Sequence, residues 1–340
     1  MKESCHPLVS VIIPLFNKER YIGRCLSSVL DKGLGEHGIE IVVVDDGSTD
    51  SSLAKCREYV SDNECVRILT QPNNGAWHAR NTGIDAARGK YVCFVDADDV
   101  LAPGGLSSIL HLCDGKTDVV RFWCQVNSGG KTQSGEESDG QVYFRGSGRE
   151  WILKYGLETF CVNCLFRKEF LDSRGIRFQK GILGEDFMFM YDVLMAVENM
   201  VSVRKDVYLY NLAEGSITCD RSKEHNRKCE RDFRNILNII SGRTEEIRSY
   251  DLELWKACRL SIDFKVVSLF SRILSADYAL DEYKTVIADC KRSGLIPLRF
   301  DKQLSCGMRL AHAAIKKMVA MPCSYLVAKP LFKLTCCFWR

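Results

Sequence analysis

The densest chemistry in the chain is a run of carboxylates, Asp96-Ala97-Asp98-Asp99, set directly behind the apolar stretch Tyr91 to Val95. An Asp-x-Asp triplet arises by chance about once in a chain of this size, so the triplet alone is uninformative. Its setting adds the information. Like charges held this close repel, and a divalent cation is the usual reason to tolerate them. Hard oxygen donors favour Mg²⁺ or Mn²⁺, either of which would also bind a diphosphate. A solvated acidic turn is the structural alternative.

Four other segments carry groups of the same kind. Asp45-Asp46-Gly47-Ser48-Thr49-Asp50 follows four consecutive apolar residues; Ser48 or Asp50 suffices to cap the next helix, which leaves Asp45 free to accept hydrogen bonds from a ribose or a base edge. Pro14-Leu15-Phe16-Asn17-Lys18-Glu19 closes the first apolar run and would line a pocket or make a simple turn; it lacks the Gly-x-Gly-x-x-Gly of a dinucleotide site. Asn73 to Gly83 opens a helix. There Arg80 either faces phosphate oxygens or, with Asn81, braces the acidic loop, while His78 reads as a surface residue. Glu185 and Asp186 begin another helix, where acids favour the dipole or one of them serves as a general base.

The elements that must position these groups follow from periodicity. Val9 to Pro14, Glu40 to Asp45, Val66 to Thr70 and Tyr91 to Val95 are β-rich and continuously apolar, as in a parallel sheet covered on both faces. Amphipathic stretches Arg20 to Leu30, Ser51 to Tyr59 and Ala76 to Ala87 alternate with them, which predicts a βαβαβαβ layout. Beyond residue 100 the alternation lapses. Ser128 to Gly140 reads as a loop or hairpin tip, Trp151 to Tyr155 as helix, Thr159 to Phe166 as strand, Gly184 to Met200 as helix and Val201 to Tyr210 as strand. From about Arg221 only helical patterns remain, at Arg227 to Ile240, Leu252 to Leu274, Leu280 to Lys291 and Gln303 to Met321. A domain boundary is expected near residue 215.

Composition is that of an ordinary globular protein, with 46% hydrophobic and 27% charged residues in 340. A net charge of +3 gives no basic face suited to nucleic acid. Seventeen cysteines, odd in number and irregularly spaced, suit free thiols in a reducing cytosol. Cys161 and Cys164 have zinc-ligand spacing but no second pair, so two buried strand thiols are expected. The N-terminal segment does not read as a signal peptide, and no stretch of about 18 apolar residues reads as a membrane span. Residues 301 to 340 carry Lys302, Arg309, Lys316, Lys317, Lys329, Lys333 and Arg340 against Asp301, interleaved with apolar stretches at Met318 to Met321 and Tyr325 to Ala328 and with Leu331, Phe332, Phe338 and Trp339. Such a basic amphipathic tail suits either an anionic membrane face or packing on its own domain.

Taken together, VSVIIPLFNKERYIGRCLSSVL, IVVVDDGSTDSS, NNGAWHARNTGIDAARGKYVCFVDADD and GILGEDFMF, closed by YNLAEGSIT, resemble the family 2 glycosyltransferases from about Leu8 to Thr218. The resemblance implies an α/β fold of GT-A (Rossmann-like) type, a mostly parallel sheet flanked by helices and followed by a helical C-terminal region. Residues 1–215 would form the catalytic domain, with 8–100 as its nucleotide-binding half and 101–215 as its acceptor half, and 216–340 the helical region. By the same resemblance Phe16, Asn17, Glu19 and Asp45 would contact the nucleotide of a sugar donor, with Arg80 beside them. Asp96 and Asp98 would form the metal motif for Mn²⁺ or Mg²⁺, with Asp98 the direct ligand. Asp186 would be the catalytic base of an inverting transfer.

Helix geometry agrees on that last point: neighbours on a helix point about 100° apart, and Asp186 lies near the apolar stripe of Phe187, Met190, Leu194 and Val197 while Glu185 falls on another side. Bacterial relatives of this type build capsule, exopolysaccharide or lipopolysaccharide on a polyprenyl carrier, which implies a lipid-linked or growing polysaccharide acceptor; a cytoplasmic location is expected, with the basic tail as the contact for the inner face of the cytoplasmic membrane. Two other enzymes, a sugar nucleotidyltransferase and a dinucleotide oxidoreductase, fail on PLFNKE, which has no glycine. A catalytically inactive relative serving as a binding or assembly subunit is the remaining alternative, and intact Asp45, Asp96, Asp98 and Asp186 argue against it.

Overall fold

The structure is a computed structural model that describes residues 7–30, 38–127, 138–180, 184–211, 222–298, 306–321, 323–326 and 328. Its chain divides into two compact units. The first comprises Met1–Glu150, Thr159–Gly181 and Glu185–Glu214; the second comprises Trp151–Glu158, Ile182–Gly184 and Gly215–Arg340.

The first unit begins with β1 (Val9–Leu15), α1 (Ile22–Val29), β2 (Ile39–Asp45), α2 (Ser52–Asp62), β3 (Val66–Thr70), α3 (Ala76–Ala86) and β4 (Tyr91–Phe94). β1 and β4 bury nearly every residue, which explains their continuous apolar sequences: helices cover both faces of the sheet. β1 pairs in parallel with β2 and β4, and β2 with β3. The register sets Leu15 beside Asp45 and Ile12 beside Phe94, so the segments after β1, β2 and β4 all emerge at one carboxyl edge. α3 lies close against β1: a Cβ added at Gly83 would stand 2.3 Å from Ile12 Cγ2.

Beyond β4 come β5 (Val100–Leu101), α4 (Gly105–Ile109), β6 (Val119–Asn127), β7 (Val142–Gly146), α5 (Gly148–Tyr155), β8 (Cys164–Arg167), α6 (Lys168–Ser173), α7 (Glu185–Ala196) and β9 (Met200–Asn211). Among the described residues the nine strands form one sheet in the order β3-β2-β1-β4-β8-β6-β9-β5, with β7 also on β9. The sheet is parallel through β4 and mixed beyond it, since β8 runs antiparallel to both β4 and β6. Short β5 and irregular β6 and β7, whose pairing with β9 shifts register, lack the uniform runs that mark β1 to β4. The strand expected over Thr159 to Phe166 is confined to β8, because the β6–β8 ladder ends at Arg121 and Cys164; Cys161 therefore lies on a bend, and only Cys164 is a strand thiol. α7 stops at Ala196, where the Val197 carbonyl accepts from Gly148 N–H and Asn199 N–H donates to Asp118.

One aromatic cluster ties this half together. Phe178 and Phe189 stack at 4.1 Å, and Phe94 meets each edge-on. β4, α7 and the 178 segment thus share one rigid contact, which fixes the start of α7 relative to the end of β4.

The second unit contains α8 (Lys223–Ile247), α9 (Leu252–Ser275), α10 (Leu280–Arg292) and α11 (Cys306–Ala320). Ser222 and Asp251 cap α8 and α9 by accepting from His225 N–H and Leu254 N–H. Arg259 is fully buried, and its guanidinium donates to Asp263, Ser241 and the carbonyls of Gly294 and Leu295. In the tail, Ile315, Met318 and Tyr325 are buried, with Tyr325 stacked on Tyr283 at 4.1 Å, whereas Lys316, Lys317, Met321 and Leu326 are exposed. Lys302, Lys329, Leu331, Phe332, Lys333, Phe338, Trp339, Arg340, most of Ser128 to Gly140 and the LAEGSIT of the closing motif lie outside the described residues, as does the side chain of Arg309. No described helix is long and apolar enough to cross a membrane.

Gly83→Ala should therefore cost about 1 to 3 kcal/mol through overpacking against Ile12, read as a lower urea midpoint with unchanged slope.

Candidate functional site

The carboxyl edge of β1 to β4 gathers four of the five segments singled out by residue type, and α7 brings the fifth. At the first loop Asn17 takes φ 50°, and its side-chain oxygen accepts from Thr49 N–H at 2.8 Å. Glu19 accepts from Ser51 N–H at 3.0 Å, and Lys18 N–H donates to Ser52 at 2.8 Å. The loops after β1 and β2 are thereby laced into one wall, with Phe16 exposed on it at 43%. Asp45 is buried and accepts from Ser48 N–H at 3.2 Å. Its neighbour Asp46 takes a purely structural part, accepting from Gln71 at 2.7 Å and from the N–H groups of Asn74 and Gly75 at 3.0 and 2.7 Å, which shapes the turn into α3.

Arg80 on α3 is the hub. Its Nη2 donates to Asp96 at 2.9 Å, and its Nη1 donates to Glu185 at 2.8 Å and Asp186 at 3.1 Å. Only 7% of the side chain is exposed, and the guanidinium lies 5.3 Å from the centre of the Phe178 ring. Phe178 is in turn held by Asn81, which both donates to and accepts from its backbone. Despite that burial, the surrounding carboxylates, Asp186 foremost, hold Arg80 firmly in its charged form. The two helix-start acids are not separated as their angular spacing suggests. Glutamate's extra methylene lets Glu185 reach the same nitrogen as Asp186, so Glu185 is neither a free cap nor turned away.

Burial pushes the Asp186 carboxyl up to about 6; Arg80 opposes that rise, and the charges of Glu185 and Asp96 add to it. The buried Cys161 thiol hydrogen-bonds the same carboxylate, a role that zinc-type spacing did not suggest.

The acidic loop after β4 divides its labour. Asp99 is buried; it accepts from Tyr208 Oη at 2.6 Å and Asn211 N–H at 2.7 Å, and burial drives its carboxyl up to about 7. Tyr208 Oη accepts from Asp96 N–H, and Asn211 donates from its side chain to the Asp98 carbonyl, so β9 holds the loop's backbone. Tyr208 and Asn211 carry no recognisable chemical spacing and were legible only through this contact. Asp98 projects away from that anchor and accepts from Lys18 Nζ at 2.6 Å. Asp96 and Asp98 thus each face a cation, and their hard oxygens fit a divalent ion. Among the described residues no group of three His, Cys, Asp or Glu forms a ligand set by itself. His78 is half-buried rather than a surface residue, with its Nδ1 buried and its ring edge-on to Trp77.

The description "Glycosyl transferase family 2" matches residues 10–175. The uncharacterized glycosyltransferase YibD of Escherichia coli is 30% identical over 245 residues, covering 68% of this chain and 70% of YibD. Glycosyltransferase GlyA of Streptococcus pneumoniae is 29% identical over 226 residues; the match covers 62% of this chain but only 31% of GlyA's length. In fold, the crystal structure of S. aureus TarS 1-349 in complex with UDP-GlcNAc superposes with a TM-score of 0.67 at 21% identity, over 96% of this chain and 92% of that one.

Arg80→Met should cost about 3 to 5 kcal/mol at neutral pH, because it strands three carboxylates beside one another. Arg80 is what opposes the rise that burial causes at Asp186, so with the guanidinium gone the Asp186 carboxyl rises further, the folded chain binds more protons, and the deficit relative to wild type should shrink as pH falls from 8 to 5. Chemical denaturation at the two pH values reads both effects.

Proposed function

The chain belongs to glycosyltransferase family 2, and we propose that it is a metal-dependent inverting enzyme that moves a sugar from a nucleotide diphosphate-sugar to a hydroxyl of a carbohydrate or polyprenyl-linked acceptor. The observation that carries this reading is the Arg80 hub, in which one guanidinium donates through Nη2 to Asp96 of the donor side and through Nη1 to Asp186 of the base side. TarS, crystallised with UDP-GlcNAc, supports the donor class.

Phe16, Asn17, Glu19 and Asp45 line the nucleotide side in this reading, and Asp98 with Asp96 would hold Mn²⁺ or Mg²⁺. Bound there, a divalent ion would supply positive charge to the departing diphosphate. Asp186 accepts the proton of the acceptor hydroxyl as that oxygen bonds to the anomeric carbon, and the bond from that carbon to the diphosphate breaks on the opposite side. Arg80 holds the base ionised and aimed. A carboxyl near 6 is ionised at neutral pH yet basic enough to take a proton, better suited than an ordinary aspartate. This tuning favours an enzyme over an inactive binding subunit. Work at the inner membrane face, through the exposed Lys316, Lys317, Met321 and Leu326, belongs to the same proposal.

Asp186→Asn should retain donor binding while lowering turnover roughly 100- to 10,000-fold. Glu185→Gln should cost less, and near-normal turnover in Asp186→Asn would overturn the base assignment. The pH profile of kcat/KM should fall about tenfold per unit below about 6, as Asp186 takes up a proton. Excess EDTA should abolish turnover, and Asp98→Ala should not be rescued by added Mn²⁺; full activity in EDTA would exclude the metal.

A further inference from the structure

Lys18 carries a reading that goes further into the same site and rests on the assignment of Asp98 as metal ligand. Its backbone is fixed: Lys18 N–H donates to Ser52, and its carbonyl accepts from Tyr21 and Ile22 N–H as α1 begins. The side chain is the movable part. Its ammonium contacts Asp98 Oδ2 at 2.6 Å and sits 5.9 Å from the centre of the Tyr21 ring, with 20% of the side chain exposed. Among the described residues the Asp98 carboxylate accepts at Oδ2 from the Lys18 ammonium and from no structural donor, so a metal at that oxygen would meet the ammonium.

An ammonium and a divalent ion cannot share that oxygen, because both are cations and each would have to stand within a few ångströms of it. The fixed backbone and the four-carbon stem keep the ammonium within reach of the loop even when it leaves Asp98, so it remains among groups that would meet an incoming anion.

We propose that Lys18 is a resident counter-ion of the metal site: it holds Asp98 while no donor is bound, competes with the divalent cation for that carboxylate, and is released when the anionic diphosphate arrives to receive its charge. Metal and diphosphate binding are then coupled through one side chain, each favouring the other by the same factor. The device keeps the site electrically balanced when it is not loaded, and it weakens capture of a free cation without a donor.

The experiment is Mn²⁺ titration of the full chain without nucleotide, followed by electron paramagnetic resonance of the free ion. Lys18→Met should bind Mn²⁺ on the order of tenfold more tightly than wild type, a gain that mere structural damage would not produce. Lys18→Arg should stay weak. Lys18→Gln repeats the test should the methionine variant fold poorly. Equal or weaker Mn²⁺ affinity in both neutral variants overturns the counter-ion role. Asp98→Asn separates this from the underlying assignment: if it binds Mn²⁺ as wild type does, Asp98 is not the ligand, whatever Lys18 does. Repeating the titration with UDP and with GDP should show that the nucleotide tightens Mn²⁺ binding less in Lys18→Met than in wild type; an undiminished gain would also overturn the coupling.

Discussion

A buried guanidinium among three carboxylates is the constraint around which the first unit is arranged. Taking one positive charge out of water is costly, and so is placing Asp96, Glu185 and Asp186 within reach of one another; each cost is tolerable only in the presence of the other. Position therefore matters more than identity. α3 must lie close enough to β1 to aim Arg80, and the glycine at 83 allows it. α7 must start beside β4, and the stack of Phe178, Phe189 and Phe94 fixes that. Phe178 serves both ends, as a partner of the aromatic cluster and as the face beneath the guanidinium.

Carboxylates that look alike in sequence have been given different work by their surroundings. Asp46 spends its oxygens on three donors of a turn, and Asp99 on a tyrosine and a backbone amide. Glu40, at the far end of the strands, locks Ser10, Arg67 and the Arg88 amide together. Asp186 sits between these extremes, desolvated enough to gain basicity and paired enough to stay charged. Asp98, with one movable ammonium, is the least committed. A gradient of commitment, from bracing to available, runs across one sheet edge.

Much of the β1 to β4 half was legible because its physics is local and repetitive. Continuous apolar runs in β1, β2 and β4 announce a covered parallel sheet, and the loops at their carboxyl ends must share an edge. The other half was legible only in part, at α7 and β9, for an equally physical reason. β6 pairs with β9 through a shifted register and β5 is two residues long, and the sequences of β5 and β6 obey the partner rather than a period. Within the site, Asp45, Asp96, Asp98 and Asp186 could be singled out by type and context. Lys18, Cys161, Tyr208 and Asn211 could not, since their importance lies in a partner distant along the chain. Glu185 shows the limit of angular reasoning: side-chain length overrode a 100° turn.

The fastening of the acidic loop to the last residues of β9 has a consequence for how such chains can change over generations. Asp99, Tyr208 and Asn211 share two buried hydrogen bonds across more than a hundred residues of chain, and Asn211 adds a third to the Asp98 carbonyl. Losing the carboxylate alone would orphan a hydroxyl and an amide; losing the tyrosine alone would orphan a buried acid. Drift at position 99 or 208 is therefore costly unless the other moves with it, whereas the amide of residue 211 is backbone and survives a change of side chain. Relatives that abandon the acid at the position of Asp99 should also have abandoned the phenol at the position of Tyr208, so the pair forms an inheritance unit written in two distant places of the gene.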